Sequence, residues 1–235
     1  MLVERSDRGI IRHASETYGT SHDGIPLTVW LPEGGMPEIL ILASMHGDES
    51  ETTVVLSDAL RSIGRGGLKN AAILCGNPDG VVRGTRGNAR GVDLNRNFPT
   101  SNWSSDPVSY KSREAGPRDI TLSPGSRPAS EPETQSLLSL LDRIKPRAVV
   151  TLHAALECID DADNSCLGKL LSQRSGLPLE PVGYPTPGSF GTWAQEHTLN
   201  LVTYEFEAAS AYDLKERHGP VFVDILNGSI EVEGR

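Results

Sequence analysis

Two histidines and one glutamate in this 235-residue sequence have the residue types of a catalytic zinc site. His46 and Glu49 form an H-x-x-E tetrapeptide directly after one apolar run, and His153 directly follows another. A three-residue offset at the start of a helix lets an imidazole nitrogen and a carboxylate oxygen converge on one ion. The tetrapeptide alone is more typical of a helix-capping turn with solvated acids, and it is His153 that favours the metal. Two His and one Glu predict a zinc whose fourth position is open to water.

A glycine- and arginine-rich segment lies between these residues. Residues 83–96 contain four Arg and one Asp, a local charge of +3 in a chain whose formal charge is −9. The planar guanidinium fork of arginine suits carboxylates. The segment therefore predicts either an anion-binding site or a loop that its arginines hold by pairing with neighbouring acids.

Glu205 is the candidate for a general base. It lies between Tyr204 and Phe206 in a strand-like run, where alternation directs its side chain away from both neighbours. A carboxylate beside a metal-activated water could accept its proton and pass it to a leaving nitrogen. The alternative is that Glu205 and Glu207 are two acids on a solvated strand face.

The elements that would position these residues alternate along the chain. We predict strands at residues 38–44, 71–76, 148–152 and 200–206, helices at 50–63, 130–144 and 217–227, and a long functional loop at 77–130. Ser130 and Glu133 resemble a capping box at the start of the second helix. This alternation predicts one α/β domain over residues 1–235, with a mixed, mostly parallel sheet flanked by helices on both faces. Ligands bind such sheets beyond the carboxyl ends of the strands, where His46, His153 and Glu205 fall.

Composition excludes several classes of partner. The net charge of −9 disfavours nucleic acid and anionic membranes. Residues 1–10 carry four charges and no apolar targeting segment, so we expect a cytoplasmic protein. Three cysteines cannot all pair within one chain, and we expect reduced thiols. The other four histidines have polar neighbours and are predicted to lie on the surface: His13, His22, His197 and His218.

The order of several motifs resembles that of the M14 zinc carboxypeptidases. H-x-x-E is followed by NPDG at 77–80, RGNARGVDLNRNFP at 86–99, the strand-end histidine and TYEF at 203–206. The compact length, SEPETQ at 130–135 and GYPTPGSFGTW at 183–193 are similar to the family members that cleave murein peptides. The resemblance implies a single-domain carboxypeptidase-like fold.

The resemblance also implies roles for the metal-site residues. His46, Glu49 and His153 would bind one Zn²⁺ per chain. Glu205 would be the general base, and Asp93 would accept a hydrogen bond from a ligand histidine.

Four further residues match substrate-contacting positions of the family. Arg86 would stabilise the oxyanion, Asn95 and Arg96 would hold the carboxylate next to the departing amine, and Tyr184 would match a mobile substrate-binding tyrosine. The family's side-chain specificity pocket cannot be transferred, because an Ala-Ala pair follows His153 and the chain is far shorter than the pancreatic enzymes.

These implications predict a zinc amidopeptidase that hydrolyses the γ-D-Glu–meso-diaminopimelate bond of small murein peptides. Two alternatives remain open: an acyl-amino-acid hydrolase of the succinylglutamate desuccinylase or aspartoacylase type, and a murein-peptide binding module without catalysis. NPDG and GVDLNRNFP favour the peptidase, and Glu205 argues against a mere binder. The sequence leaves a homodimer open.

Overall fold

A seven-stranded mixed sheet forms the centre of the molecule. The structure, a computed structural model, describes residues 4, 9–112 and 118–232, with side chains at 111–119 left out of the description. The strands of the described part are β1 (Ser15–Thr20), β2 (Pro26–Trp30), β3 (Ile39–Leu42), β4 (Ala71–Ile73), β5 (Val108–Ser112), β6 (Arg118–Leu122), β7 (Ala148–Ala154), β8 (Cys158–Asp160) and β9 (Asn200–Phe206). The sheet order is β1-β2-β4-β3-β7-β9-β8, and β5 and β6 form a separate hairpin.

The four central strands β4, β3, β7 and β9 are parallel, whereas the edges of the sheet are antiparallel. The α-helices of the described part are α1 (Glu51–Ser62), α2 (Pro78–Arg83), α3 (Pro132–Ile144), α4 (Cys166–Ser175), α5 (Phe190–Glu196) and α6 (Ala211–Leu226). Apolar residues of α1, α4 and α6 pack on one face of the sheet, and those of α3 and α5 on the other. The predicted fold class is therefore confirmed.

The burial of β3 explains its continuous apolar sequence. Ile39 and Ile41 belong to the core under α1 and α6, while Leu40 and Leu42 belong to the core under α3. A strand covered on both faces needs apolar side chains at every position rather than at alternate ones. The same pattern in β7 made both strands visible in the sequence.

The capping box predicted at Ser130 is wrong. Helix α3 begins at Pro132 with Glu131 as its N-cap, and no side chain caps it. The Ser130 hydroxyl accepts a hydrogen bond from Asn97 Nδ2 and donates one to the Glu131 carboxylate. The Ser130 side chain therefore bonds to distant Asn97 and adjacent Glu131 and does not cap the helix.

Two other sequence predictions are corrected. The segment predicted as a long loop contains α2, a 3₁₀ helix (Leu94–Arg96) and the β5–β6 hairpin. His13 and His218, predicted on the surface, are buried, the latter because α6 packs against β9 and places its ring against Tyr204. Local polarity did not reveal this packing.

The remaining expectations concern the N-terminal residues, membrane-spanning helices and the cysteines. Residues 1–10 fall mostly outside the described residues. Within the part that is described, no helix is both long enough and apolar enough to cross a bilayer. Cys75, Cys158 and Cys166 are free thiols.

Candidate active site

The carboxyl ends of three neighbouring parallel strands carry the candidate catalytic residues. His46 follows β3, His153 lies near the end of β7 and Glu205 near the end of β9. His153 and Glu205 are direct partners in the β7–β9 register. All three side chains are buried. The sheet itself therefore brings together residues that are far apart in the sequence.

The nitrogen and oxygen atoms of His46, Glu49 and His153 converge on one point. His46 Nδ1 lies 2.9 Å from Glu49 Oε1, and His153 Nδ1 lies 2.9 Å from Glu49 Oε2. The two Nδ1 atoms are 3.1 Å apart. All three residues are buried and offer donor atoms within 4.8 Å of one another.

This donor set fits a zinc ion. Tetrahedral Zn²⁺ with bonds of 2.0–2.1 Å separates its ligand atoms by about 3.3 Å, close to the spacings observed. Two imidazole nitrogens that face each other need a cation or a proton between them, because two lone pairs repel. The site therefore offers three protein ligands, as a catalytic zinc centre does.

Asp93 links His46 to Arg86. Asp93 Oδ1 is 3.2 Å from His46 Nε2, and its Oδ2 accepts a hydrogen bond of 3.1 Å from Arg86 Nε. A proton held on Nε2 by this carboxylate leaves the lone pair of Nδ1 free to bind a metal. Arg86 Nη1 also donates to Glu49 Oε1 at 3.1 Å. The network fixes both the tautomer of His46 and the direction of the Glu49 carboxylate.

Electrostatics at this point of the cleft favour a cation. Burial alone would raise the pKa of Glu49, but the neighbouring His46 and His153 lower it well below its usual range. Burial likewise opposes ionisation of Asp93, yet Arg86 and His46 hold its pKa well below the ordinary value. Both groups are therefore carboxylates at neutral pH.

Glu205 differs from these two acids. Burial raises its pKa, and Glu49 raises it further, whereas His153 lowers it. Its Oε2 is buried and has no hydrogen-bond partner among the residues that the structure describes. A carboxylate with a raised pKa and an unused oxygen beside the metal ligands is suited to accept a proton.

The NPDG motif positions the turn that carries His46. Asn77 caps α2 by accepting a hydrogen bond from the Gly80 amide, and its Nδ2 donates to the carbonyl of Arg86. The same carbonyl accepts a hydrogen bond from the Gly47 amide. Gly47 packs so closely on the first turn of α2 that a Cβ there would overlap the backbone of Gly80.

Replacing Gly47 by alanine should therefore disturb the metal site. Insertion of a methyl group against backbone costs about 1–3 kcal/mol of unfolding free energy. We expect a melting temperature lower by several degrees and a reduced zinc content, measured by calorimetry and elemental analysis. Gly64→Ala is the matched control, because its Cβ would meet open space. Equal stability of the two variants would show that the turn tolerates a side chain.

Buried acids of the SEPETQ segment hold the loop that follows α2. Asn88 Nδ2 donates to Glu131 Oε2 at 2.9 Å and to Glu133 Oε2 at 3.2 Å. Asn88 Oδ1 accepts from the amides of Arg90 and Val92. Two of the motifs that carried the resemblance, RGNARGVDLNRNFP and SEPETQ, are thus in direct contact, and this contact holds the segment that contains Arg86 and Asp93.

Only two of the four arginines of residues 83–96 face the cleft. Arg86 and Arg96 line it with Asn95 and Tyr184. Arg83 is exposed and pairs with Asp23. The prediction of an anion site therefore stays open for Arg86 and Arg96, while Arg83 pairs with an acid, as the loop-holding alternative predicts.

The side chains of the substrate-contact candidates differ in burial and in how firmly hydrogen bonds hold them. Arg96 is buried and donates to the carbonyl of Asn95. Asn95 Oδ1 accepts from the Phe190 amide, which fixes the Asn95 side chain. Tyr184 is 54% exposed and lies near Arg96 and Glu205. Their roles in substrate binding stay predictions.

Sequence reasoning missed Tyr110. The guanidinium of Arg86 lies 4.3 Å from the centre of the Tyr110 ring, and the tyrosine lines the cleft. This contact is a cation–π interaction that orients Arg86. The alternation of polar and larger residues in β5 was a signal for a strand, but it lay inside the segment predicted as loop.

Comparisons with known proteins agree with this geometry. The family model described as zinc carboxypeptidase, of the M14 peptidases, matches residues 68–160. Murein peptide amidase A of Escherichia coli K12 is 44% identical over 218 residues, which cover 91% of this chain and 90% of that protein. The Vibrio campbellii protein of the same name is 39% identical over 96% of this chain and 92% of its own. The crystal structure of murein-tripeptide amidase MpaA from Escherichia coli O157 superposes with a TM-score of 0.91 at 41% identity, covering 96% and 97% of the two chains.

Proposed function

Because the chain belongs to the M14 zinc carboxypeptidase family, and within it to the murein peptide amidases, we propose that it hydrolyses the γ-D-glutamyl–meso-diaminopimelate bond of murein peptides. It is a zinc metallopeptidase. The observation that carries the proposal is the convergence of His46, Glu49 and His153 beside Glu205. The match to relatives over nearly the whole length of both chains supports the same chemistry here.

The residues of the metal centre have distinct tasks. His46 Nδ1, Glu49 and His153 Nδ1 would hold the zinc, and Asp93 would orient His46 from behind. When bound, zinc lowers the pKa of a water molecule towards about 7 and polarises a carbonyl oxygen. Glu205 would take a proton from the attacking water on its free Oε2 and deliver it to the departing amine of diaminopimelate.

Arg86 and Arg96 would stabilise the two negative charges of the reaction, the developing oxyanion and the substrate carboxylate. The hydrogen bonds to Asp93 and Glu49 occupy two of the five N–H groups of the Arg86 guanidinium. Its positive charge beside the metal ligands suits the oxyanion that develops at the scissile carbonyl. Arg96 and Asn95 would bind the α-carboxylate of diaminopimelate. This local positive charge suits a carboxylate-rich peptide even though the chain as a whole is acidic.

One assay tests the proposal directly. The purified protein is incubated with L-Ala-γ-D-Glu-meso-diaminopimelate, with and without a chelator, and free diaminopimelate is measured. We expect release that the chelator abolishes and zinc restores. Release of acid from N-succinylglutamate or N-acetylaspartate instead would favour the acyl-amino-acid hydrolase. Tight binding of the peptide without release would favour the binding module.

A cytoplasmic location belongs to the same proposal. The free thiols Cys75, Cys158 and Cys166 are compatible with a reducing compartment. A homodimer stays a prediction, which light scattering of the purified protein tests.

Replacing Arg96 by lysine should weaken substrate binding although the charge is unchanged. A lysine ammonium cannot reproduce the two-bond geometry of a guanidinium fork, so we expect kcat/KM to fall about tenfold or more. Amidation of the α-carboxylate of diaminopimelate should lower kcat/KM of the wild type by a similar factor and that of the variant little further. Arg83→Lys, at the exposed C-terminal end of α2, is the matched control and should leave kcat/KM unchanged. If amidation penalises wild type and Arg96→Lys equally, Arg96 does not bind that carboxylate.

A further inference from the structure

Asp160 is a carboxylate of the cleft that the mechanism above does not use. It is the last residue of β8, which pairs with β9 so that Cys158 lies opposite Glu205 and Asp160 opposite Thr203. Ile159 between them is buried in the core. Because side chains alternate along a strand, Asp160 is directed to the same side as Glu205, and it lines the cleft.

Asp160 is displaced from Glu205 by two residues in the register of the sheet. Thr203 precedes Glu205 by two residues on β9, which corresponds to about 6.6 Å along the strand. Asp160, opposite Thr203, therefore lies one strand repeat deeper than the proposed base. A side chain on the leaving-group side of the scissile bond, three to four methylene-sized groups long, would span this distance.

The charge of Asp160 is not compensated by a nearby cation. Its carboxylate accepts a hydrogen bond from the Val182 amide, but no Lys, Arg or His in the described part of the chain forms an ion pair with it. Partial burial raises the pKa of its carboxyl, and Asp161 raises it further. An ammonium group entering the cleft would stabilise the ionised Asp160 carboxylate and so offset the effects of burial and of Asp161 on its pKa.

We propose that Asp160 binds the distal ammonium group of diaminopimelate and so selects a diamino acid on the leaving side of the scissile bond. This inference rests on the proposed function. The chain of four carbon–carbon bonds between the α-carbon and the distal amine-bearing carbon matches the separation of Glu205 and the Asp160 position. The other two acids that line the cleft have roles in the proposed mechanism: Glu49 would bind the metal, and Glu205 would accept the proton of the attacking water.

Substrate editing on the unmodified protein tests the inference without any variant. Three peptides are compared, each beginning L-Ala-γ-D-Glu and ending in meso-diaminopimelate, in L-2-aminopimelate, which lacks only the distal amine, or in L-lysine, which lacks only the distal carboxylate. We expect kcat/KM for the aminopimelate peptide to be lower than for the diaminopimelate peptide by about tenfold or more. The lysine peptide should keep the contribution of the ammonium and be cleaved better than the aminopimelate peptide. Equal cleavage of the diaminopimelate and aminopimelate peptides would overturn the inference.

Asp160→Asn assigns the effect to this residue. The amide keeps the shape of the side chain and loses the charge, so the preference for diaminopimelate over aminopimelate should shrink to about threefold or less, mainly through a higher KM for the diaminopimelate peptide. Asp163→Asn makes the same charge change on an exposed residue three positions away and should keep the full preference. A full preference in a folded, zinc-loaded Asp160→Asn protein would also overturn the inference.

The two levels of the hypothesis fail in different ways. If the wild type releases no diaminopimelate from the first peptide, the proposed function is wrong and the inference falls with it. If the wild type cleaves that peptide without preference for the distal amine, the function stands and the role of Asp160 is refuted.

Discussion

Glu205→Gln should lower turnover of the murein tripeptide by about 10²–10⁴-fold, the range typical of a lost general base. Glutamine has the shape of glutamate but cannot accept the proton of the attacking water. Glu205 is placed for this task by its register with His153 on the adjacent strand and by a buried Oε2 without a partner in the described chain. The zinc content should be unchanged, because Glu205 is not among the three converging ligands.

Glu207→Gln is the matched control for this experiment. Glu207 lies two residues further along the chain and accepts hydrogen bonds from Arg217 and His218, away from the cleft. Glutamine can still accept such bonds, so turnover should stay within about threefold of wild type. Turnover by Glu205→Gln within tenfold of wild type, at full zinc loading, would remove Glu205 from the proton transfer.

The second large effect is expected from His153→Ala, which should abolish zinc binding and with it turnover. Only two protein ligands, His46 and Glu49, would remain, and two ligands rarely hold the ion tightly. The loss should also appear in stability, because a metal that binds only the folded state raises the melting temperature. Added zinc should therefore raise the melting temperature of metal-free wild type and leave that of His153→Ala unchanged.

His197→Ala serves as the control for His153→Ala. His197 is exposed and stacks on Trp193 at the end of α5, so its removal should leave the zinc content at about one ion per chain. Elemental analysis gives the zinc content directly and does not depend on activity. Undiminished zinc in His153→Ala would exclude His153 as a ligand.

The family, the fold class and the positions of the central strands could be read from the sequence. Strands β3 and β7 are covered on both faces, so each is a continuous apolar run, and a polar residue that ends such a run stands out. His46 and His153 were identified in this way. Glu205 followed from alternation, because Tyr204 and Phe206 are buried on the opposite side of β9.

Only the tertiary structure decided which residues of the long segment 77–130 act together. Ser130 bonds to Asn97 rather than capping α3, and Tyr110 reaches Arg86 from a hairpin that the sequence did not reveal. Arg86 and Arg83 have the same chemistry, yet only Arg86 lies in the cleft. These contacts join residues far apart in the chain, and local periodicity carries no information about such pairings.

The same limit explains the residues that sequence reasoning left without a role. Asp160 ends a three-residue edge strand, too short to show a period, and only its pairing with Thr203 of β9 directs it into the cleft. His218 is buried because its ring packs against Tyr204 and Phe206 of β9, although its neighbours in the sequence are polar. The sequence determined the zinc chemistry, because the two ligand histidines follow or end strands whose continuous apolar runs can be read from the sequence. The tertiary structure decided what surrounds the zinc, because strand order and helix packing depend on distant parts of the chain.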